Sequence, residues 1–406
     1  MPTSATPSSY LEAWLPGRDG LQFYTRTYPA TFPKAVVLFH HGFAEHCARY
    51  EHVHARYPAN HITVFAYDGR GFGRTALDPA HKSPYGKTSW QHQLADLEFW
   101  AQHLAKEYPN TPLFLMGHSM GGGLVLAFFT RPAAPPAPET VKLFSGVIAS
   151  SPFIQLTHPK PKLVRWAGNK LTHVVPWLLF PADVGYQNLS RDPAAHEAFL
   201  KDPYVKKHGS VKHLDDMLCG GDKLVAEDWK RWPKELPVLF IHGTADQVTN
   251  PKATETFCKK IVASDKKISL YEGGYHELVN DIDPMPDRIF NECVQWIEAH
   301  TPERPTIPDT PLLVPTSAAE PVPATEPEAK VAVPEPVVAP EASEAKAAAS
   351  EPVIVPESSG SEAAPVEPAS TEEAKPAEVA EPESSPEQAK PAEETPPAAA
   401  PVEAKL

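Results

Sequence analysis

Cysteine is scarce: Cys47, Cys219, Cys258 and Cys293 are the four in 406 residues. Their wide separations fit neither a zinc-site spacing nor a dense disulfide framework, so reduced thiols in an intracellular chain are expected. Long apolar runs are missing too. No stretch approaches the roughly 18 residues needed to cross a bilayer, and Met1 to Gly20 lacks the basic start and apolar run of a secretory signal. The expectation is a chain that is neither secreted nor membrane-spanning. Nor is there an excess of basic residues: 37 Lys and Arg face 51 Asp and Glu, a formal charge of −14. That balance excludes a basic nucleic-acid platform as the starting point.

The scarcities are uneven. Residues 301–406 hold 21 acidic and 6 basic residues, 22 of the 48 prolines, one glycine, and no aromatic, histidine or cysteine. Such a segment cannot bury a core, and it reads as a disordered Pro/Ala/Glu-rich acidic tail acting as a soluble spacer, its partner unknown. The body before it is nearly neutral and carries every aromatic residue, enough for one large core.

Within that body, short apolar runs recur at Leu21–Thr25, Ala35–Phe39, Ile62–Tyr67, Leu113–Met116, Gly146–Ser150, Val238–Ile241 and Ile268–Tyr271. Most read as strands buried on both faces. Helical spacing lies between them, at Ser89–Glu107, Met120–Thr130, Pro251–Ile261 and Pro286–His300. Alternating strand and helix predicts an α/β fold around a mostly parallel sheet. The alternation breaks at 152–233, read as an inserted helical cap, so the core comprises 10–151 and 234–300.

The chemistry concentrates at strand ends. Leu113 to Met116 runs into Gly117-His118-Ser119-Met120-Gly121 and then a helix. A G-x-S-x-G turn between strand and helix is the context of a nucleophile elbow, with Ser119 as nucleophile. Serine needs a base, and the base an orienting carboxylate, in the chain order Ser, Asp or Glu, His. Asp246 follows the strand ending at Ile241, and His276 follows the strand ending at Tyr271, both at the carboxyl edge where open α/β sheets build sites. His118 and His242 read as packing or hydrogen-bonding residues, and Asp68, which precedes Ser119, as a tie for its own loop. Two backbone donors are expected to form the oxyanion hole, Met120 after the nucleophile and Phe43 in the loop after Ala35–Phe39. No metal or cofactor is called for. Gly69-x-Gly71-x-Gly73 lacks the continuation of a dinucleotide-binding fingerprint.

Five segments, His41-Gly42-Phe43-Ala44-Glu45-His46, Gly117-His118-Ser119-Met120-Gly121-Gly122, Leu189-Ser190-Arg191-Asp192-Pro193, His242-Gly243-Thr244-Ala245-Asp246 and Tyr271-Glu272-Gly273-Gly274-Tyr275-His276, carry a resemblance over about residues 10–300. In these the chain resembles the monoacylglycerol lipases of the α/β-hydrolase fold, fungal members included. The resemblance implies a serine hydrolase that releases glycerol and fatty acid from a monoacylglycerol through an acyl-enzyme, with Ser119, Asp246 and His276 as triad and Phe43 and Met120 as oxyanion hole. Two residues depart from the family pattern: Ala44 where Gly is frequent, and Thr75 where Ser is usual.

Other readings of the same residues stay open. One is a broader carboxylesterase, lysophospholipase or serine peptidase on the same triad; another is a non-catalytic hydrolase scaffold with an interaction tail. In the cap, Lys160, Lys162, Arg165 and Lys170 interleave with Trp166, Leu171, Val174 and Leu178. This is either a lid packed on its own domain, or an amphipathic lid that contacts substrate and touches a membrane or lipid droplet. The expected location is cytoplasmic, with peripheral membrane or lipid-droplet contact. The final Ala404-Lys405-Leu406 resembles a peroxisomal address, a second destination.

Overall fold

The computed structural model describes residues 9–302. The acidic tail from 303 onward, Ala404-Lys405-Leu406 included, lies outside the described residues. Six strands come first: β1 (Leu11–Pro16), β2 (Gln22–Tyr28), β3 (Ala35–His40), β4 (Ile62–Tyr67), β5 (Leu113–His118) and β6 (Phe144–Ser150). Helices α1 (Trp90–Glu107) and α2 (Met120–Thr130) flank β5 in sequence.

After β6 the chain leaves the sheet for the cap, with α3 (Lys162–Leu171), β7 (Leu179–Pro181), α4 (Pro193–Lys201), β8 (His208–Ser210) and α5 (Val211–Ala226). It returns through β9 (Val238–Gly243), α6 (Pro251–Lys260), β10 (Lys266–Tyr271) and α7 (Met285–Ala299). The main sheet runs β1-β2-β4-β3-β5-β6-β9-β10. Pairings β1–β2 and β2–β4 are antiparallel and the rest parallel.

Every residue of β3, β4, β5 and β9 is buried, which explains their unbroken apolar runs. Alternate residues of β3 feed opposite faces. Val36 and Leu38 pack with Trp100 of α1 and Leu124 of α2, whereas Val37 and Phe39 pack with Ile289 and Trp296 of α7. Capping residues fix where helices start: Ser89 accepts the His92 amide before α1, and Asn250 accepts the Lys252 amide before α6, with Pro251 in its first turn.

Two elements differ from the sequence reading. β1 shows no apolar run because most of its residues face solvent. The cap is not wholly helical: Leu179–Pro181 and His208–Ser210 pair antiparallel. Three residues are too few for alternation to show, and Pro181 and Gly209 are poor strand formers.

Candidate active site

The site grows from the turn after β5. Ser119 has φ 54° and ψ −117°, a backbone conformation natural only to glycine. Two flanking glycines make the turn possible. A Cβ at Gly117 would come within 2.4 Å of the Gly121 carbonyl oxygen, and one at Gly121 within 2.2 Å of the His40 carbonyl oxygen. The strain turns Ser119 out of the strand to open α2, a helix in which every residue is buried.

At the ends of β9 and β10 the chain supplies the partners. Ser119 Oγ lies 2.9 Å from His276 Nε2, and His276 Nδ1 lies 2.7 Å from Asp246 Oδ2. All three are buried. The Asp246 Oδ1 atom accepts the Val248 and Thr249 amides at 2.7 and 2.9 Å, which fixes the carboxylate plane. Burial acts against charge on both partners. The pair overcomes it: Asp246 is held far below the usual carboxylate range by His276 and by hydrogen bonds from His242 and His276. Burial alone would lower His276, yet the Asp246 charge and hydrogen bond, with Glu277 and Glu45 behind, hold it above its ordinary value. His118, whose ring lies 4.8 Å from that of His276, is pushed down to about 3 by burial and by the His276 charge. It stays neutral.

The loop after β3 lies against Ser119: a Cβ on Gly42 would sit 3.2 Å from Ser119 Cβ. Ala44 adopts φ 59°, in the left-handed region that favours glycine. Thr75 acts through its hydroxyl, accepting the Tyr24 amide at 3.0 Å and donating to the Asp68 carbonyl at 2.8 Å, as a serine could. Asp68 binds the Cys47 and Arg74 amides and ties its own loop.

A cleft beside Ser119 is lined by apolar Val184, Leu189, Phe199 and Val248 and by polar Glu45, Arg49, His118 and Glu277. The proposed cap residues Trp166, Leu171, Val174 and Leu178 do not line it; they lie 41–78 % exposed together with Trp177 on the outside of the cap. Helix α3 has no buried residue.

Sequence reasoning missed the polar cluster in this lining. Arg49 gives two hydrogen bonds to Glu277, at 2.8 and 2.7 Å, and one to Glu45 at 2.5 Å. Glu45 also accepts the Gly42 amide and the Tyr50 hydroxyl. Burial raises Glu45, whereas Arg49 overcomes burial at Glu277 and brings it to about 2. The signal available was the Glu45, Arg49 spacing of four residues. Arg49→Met is expected to cost about 3–5 kcal/mol of stability by stranding two buried carboxylates. Thermal unfolding checks it, and Glu277→Gln in the same chain is expected to recover part of the loss.

The cap is tied to the loop that carries His276. The Glu277 amide donates to the Leu189 carbonyl at 2.7 Å. Ser190 Oγ donates to the Asn280 carbonyl at 2.7 Å, and Arg191 pairs with the buried Asp281 at 2.8 Å.

Comparison with known proteins fits this geometry. The family described as serine aminopeptidase, S33, matches residues 31–283. A putative monoglyceride lipase of Schizosaccharomyces pombe is 33% identical over 279 residues, 68% of this chain and 70% of that protein. The chain belongs to the monoglyceride lipase family of α/β-hydrolases. The monoglyceride lipase of Saccharomyces cerevisiae is 30% identical over 277 residues, 65% of this chain and 85% of that one. A crystal structure of a soluble variant of that yeast lipase, in complex with a substrate analog, aligns with a TM-score of 0.65 at 26% identity, covering 75% of this chain and 98% of that one. This member of the monoglyceride lipase family keeps its Ser, Asp and His in hydrogen-bonding order across three strand ends.

Proposed function

We propose that this chain hydrolyses monoacylglycerols to glycerol and free fatty acid, with Ser119 as nucleophile, His276 as general base and acid, and Asp246 as its orienter. The observation that carries the reading is the continuous 2.9 and 2.7 Å relay from a strained serine to a buried carboxylate. Ser119 Oγ attacks the ester carbonyl while His276 Nε2 takes its proton. The oxyanion is received by the amides of Phe43 and Met120, which donate to no protein group among the described residues. The glycerol oxygen leaves with the proton from His276, and a water repeats the cycle on the acyl-enzyme. The apolar part of the lining suits an acyl chain, and Glu45, Arg49 and Glu277 in the same lining suit a hydroxylated leaving group.

The outer cap supports contact with a lipid surface: Leu163, Trp166, Val174 and Phe180 are exposed beside Lys162 and Lys170. The test of function is fatty acid release from monoacyl-, diacyl- and triacylglycerols and lysophospholipids, with aminoacyl peptides as the contrast. Monoacylglycerols are expected to turn over fastest; a preference for peptides or lysophospholipids would replace the substrate while keeping the triad. Because His276 must be neutral to accept the serine proton, kcat/KM is expected to fall as pH drops through a value above the ordinary histidine pKa of about 6.5. An acid limb below that value would contradict the stabilising role of Asp246.

A further inference from the structure

The triad carboxylate has two imidazole partners, and only one leads to Ser119. His242, in β9, is fully buried. Its Nε2 lies 3.0 Å from Asp246 Oδ2 and 3.1 Å from the Thr249 carbonyl oxygen, and its Nδ1 lies 2.9 Å from Thr254 Oγ1. A carboxylate and a carbonyl only accept, so Nε2 carries the hydrogen. Nδ1 then accepts from the Thr254 hydroxyl, which has no other partner among the described residues. Asp246 and the Thr249 carbonyl thus fix the tautomer of His242, Thr254 completes its hydrogen bonding, and His242 in turn holds Asp246.

The geometry points to His242 as a positioning residue of the catalytic relay, holding Asp246 Oδ2 in line with His276 Nδ1. This rests on the ester-hydrolase reading above and adds a member to that site. Asp246 Oδ1 is fixed by two backbone amides, so rotation of the carboxylate is resisted at Oδ2 by His242 and by the Thr249 hydroxyl at 2.9 Å, which also reaches the Ser151 carbonyl. Without the His242 donor the carboxylate is freer to turn away, which weakens its hold on the His276 imidazolium. The other titratable groups facing His276 are Glu277, Glu45 and the neutral His118, and none of these touches Asp246 Oδ2.

The experiment compares His242→Met, which keeps length and apolar volume but removes the donor, with His242→Gln, whose amide nitrogen reaches the place of Nε2. The readouts are the rate of Ser119 labelling by a fluorophosphonate, kcat and KM for a monoacylglycerol, the acid limb of kcat/KM, and thermal unfolding. Expected for His242→Met is a fall in labelling rate and kcat of about 10- to 100-fold, the scale of a lost hydrogen bond to a charged group. KM stays within about 2-fold, and the acid limb moves down by about half a unit or more as the freed carboxylate turns away from the His276 imidazolium. His242→Gln is expected to restore the rates to within about 3-fold and return the limb. Equal losses in both variants with an unmoved limb would make His242 a packing residue, as would full activity in His242→Met. If His242→Met does not fold, His242→Gln decides alone: a loss of more than about 10-fold with an unmoved limb overturns the inference. Labelling keeps the two readings apart, since a wild type that labels but spares monoacylglycerols removes the substrate and leaves His242 under test.

Discussion

Ser119→Ala is expected to lose about 10⁶-fold in turnover, the scale at which a serine protease loses its nucleophile. No neighbouring hydroxyl can take over. Ser151, buried next to the site, spends its hydrogen on the His276 carbonyl at 2.8 Å, and Ser150 faces His118 at 3.4 Å. Single-turnover and steady-state hydrolysis by wild type and variant check the loss; a variant within about 100-fold of wild type would move the nucleophile elsewhere. Ser119→Gly is expected to be equally inactive and yet to unfold at a higher temperature than Ser119→Ala, which lacks the same hydroxyl but keeps a Cβ on the strained backbone. The backbone at φ 54° and ψ −117° costs a residue with a Cβ about 1–3 kcal/mol and glycine nothing. Glycine gives back about 0.5–1 kcal/mol through the freedom of the unfolded chain. The net gain of about 1 kcal/mol amounts to about 2 °C. An unchanged unfolding temperature would show that the turn stores no strain.

Asp246→Asn is expected to lower kcat by about 10⁴-fold with little change in KM. The surroundings dictate which way the new amide points. Two backbone N–H groups face Oδ1, so the asparagine carbonyl takes that place and its NH₂ takes the place of Oδ2. There it meets His276 Nδ1, which must then accept rather than donate, while the His242 N–H keeps the Thr249 carbonyl as its acceptor. The hydrogen of His276 moves to Nε2, the atom that has to receive the serine proton. Geometry survives and the base is lost. The acid limb is also expected to shift down in pH, because the imidazolium no longer faces a carboxylate. A kcat/KM profile from about pH 5 to 9 reads both effects, and a variant within about 10-fold of wild type would assign the orienting role to another group.

Much of this site lay open in the sequence because its parts are local. A glycine-flanked serine between strand and helix, and an acid and a histidine each a few residues past a buried strand, need no tertiary information to be found. The strands β3, β4, β5 and β9 were equally visible, since burial on both faces leaves an apolar run. What stayed hidden depends on distant residues meeting. Glu277 is an ordinary neighbour of His276 until Arg49, 228 residues earlier, reaches it. The cap residues Trp166, Leu171, Val174 and Leu178 illustrate the opposite failure. Apolar character marked them as substrate contacts, but composition carries no direction, and the structure turns them outward while Val184, Leu189 and Phe199 of the same insertion line the cleft.

The bonds from Leu189, Ser190 and Arg191 to the segment Glu277–Asp281 bear on engineering as well as on architecture. An insertion anchored only at its two ends could be exchanged between relatives as a cassette, altering acyl preference and nothing else. Here the graft would carry half of the clamp that steadies the segment beside His276. A chimaera that takes a foreign insertion without the matching 277–281 segment should therefore lose rate on every ester, whereas one that transfers both pieces together should change only its choice among them.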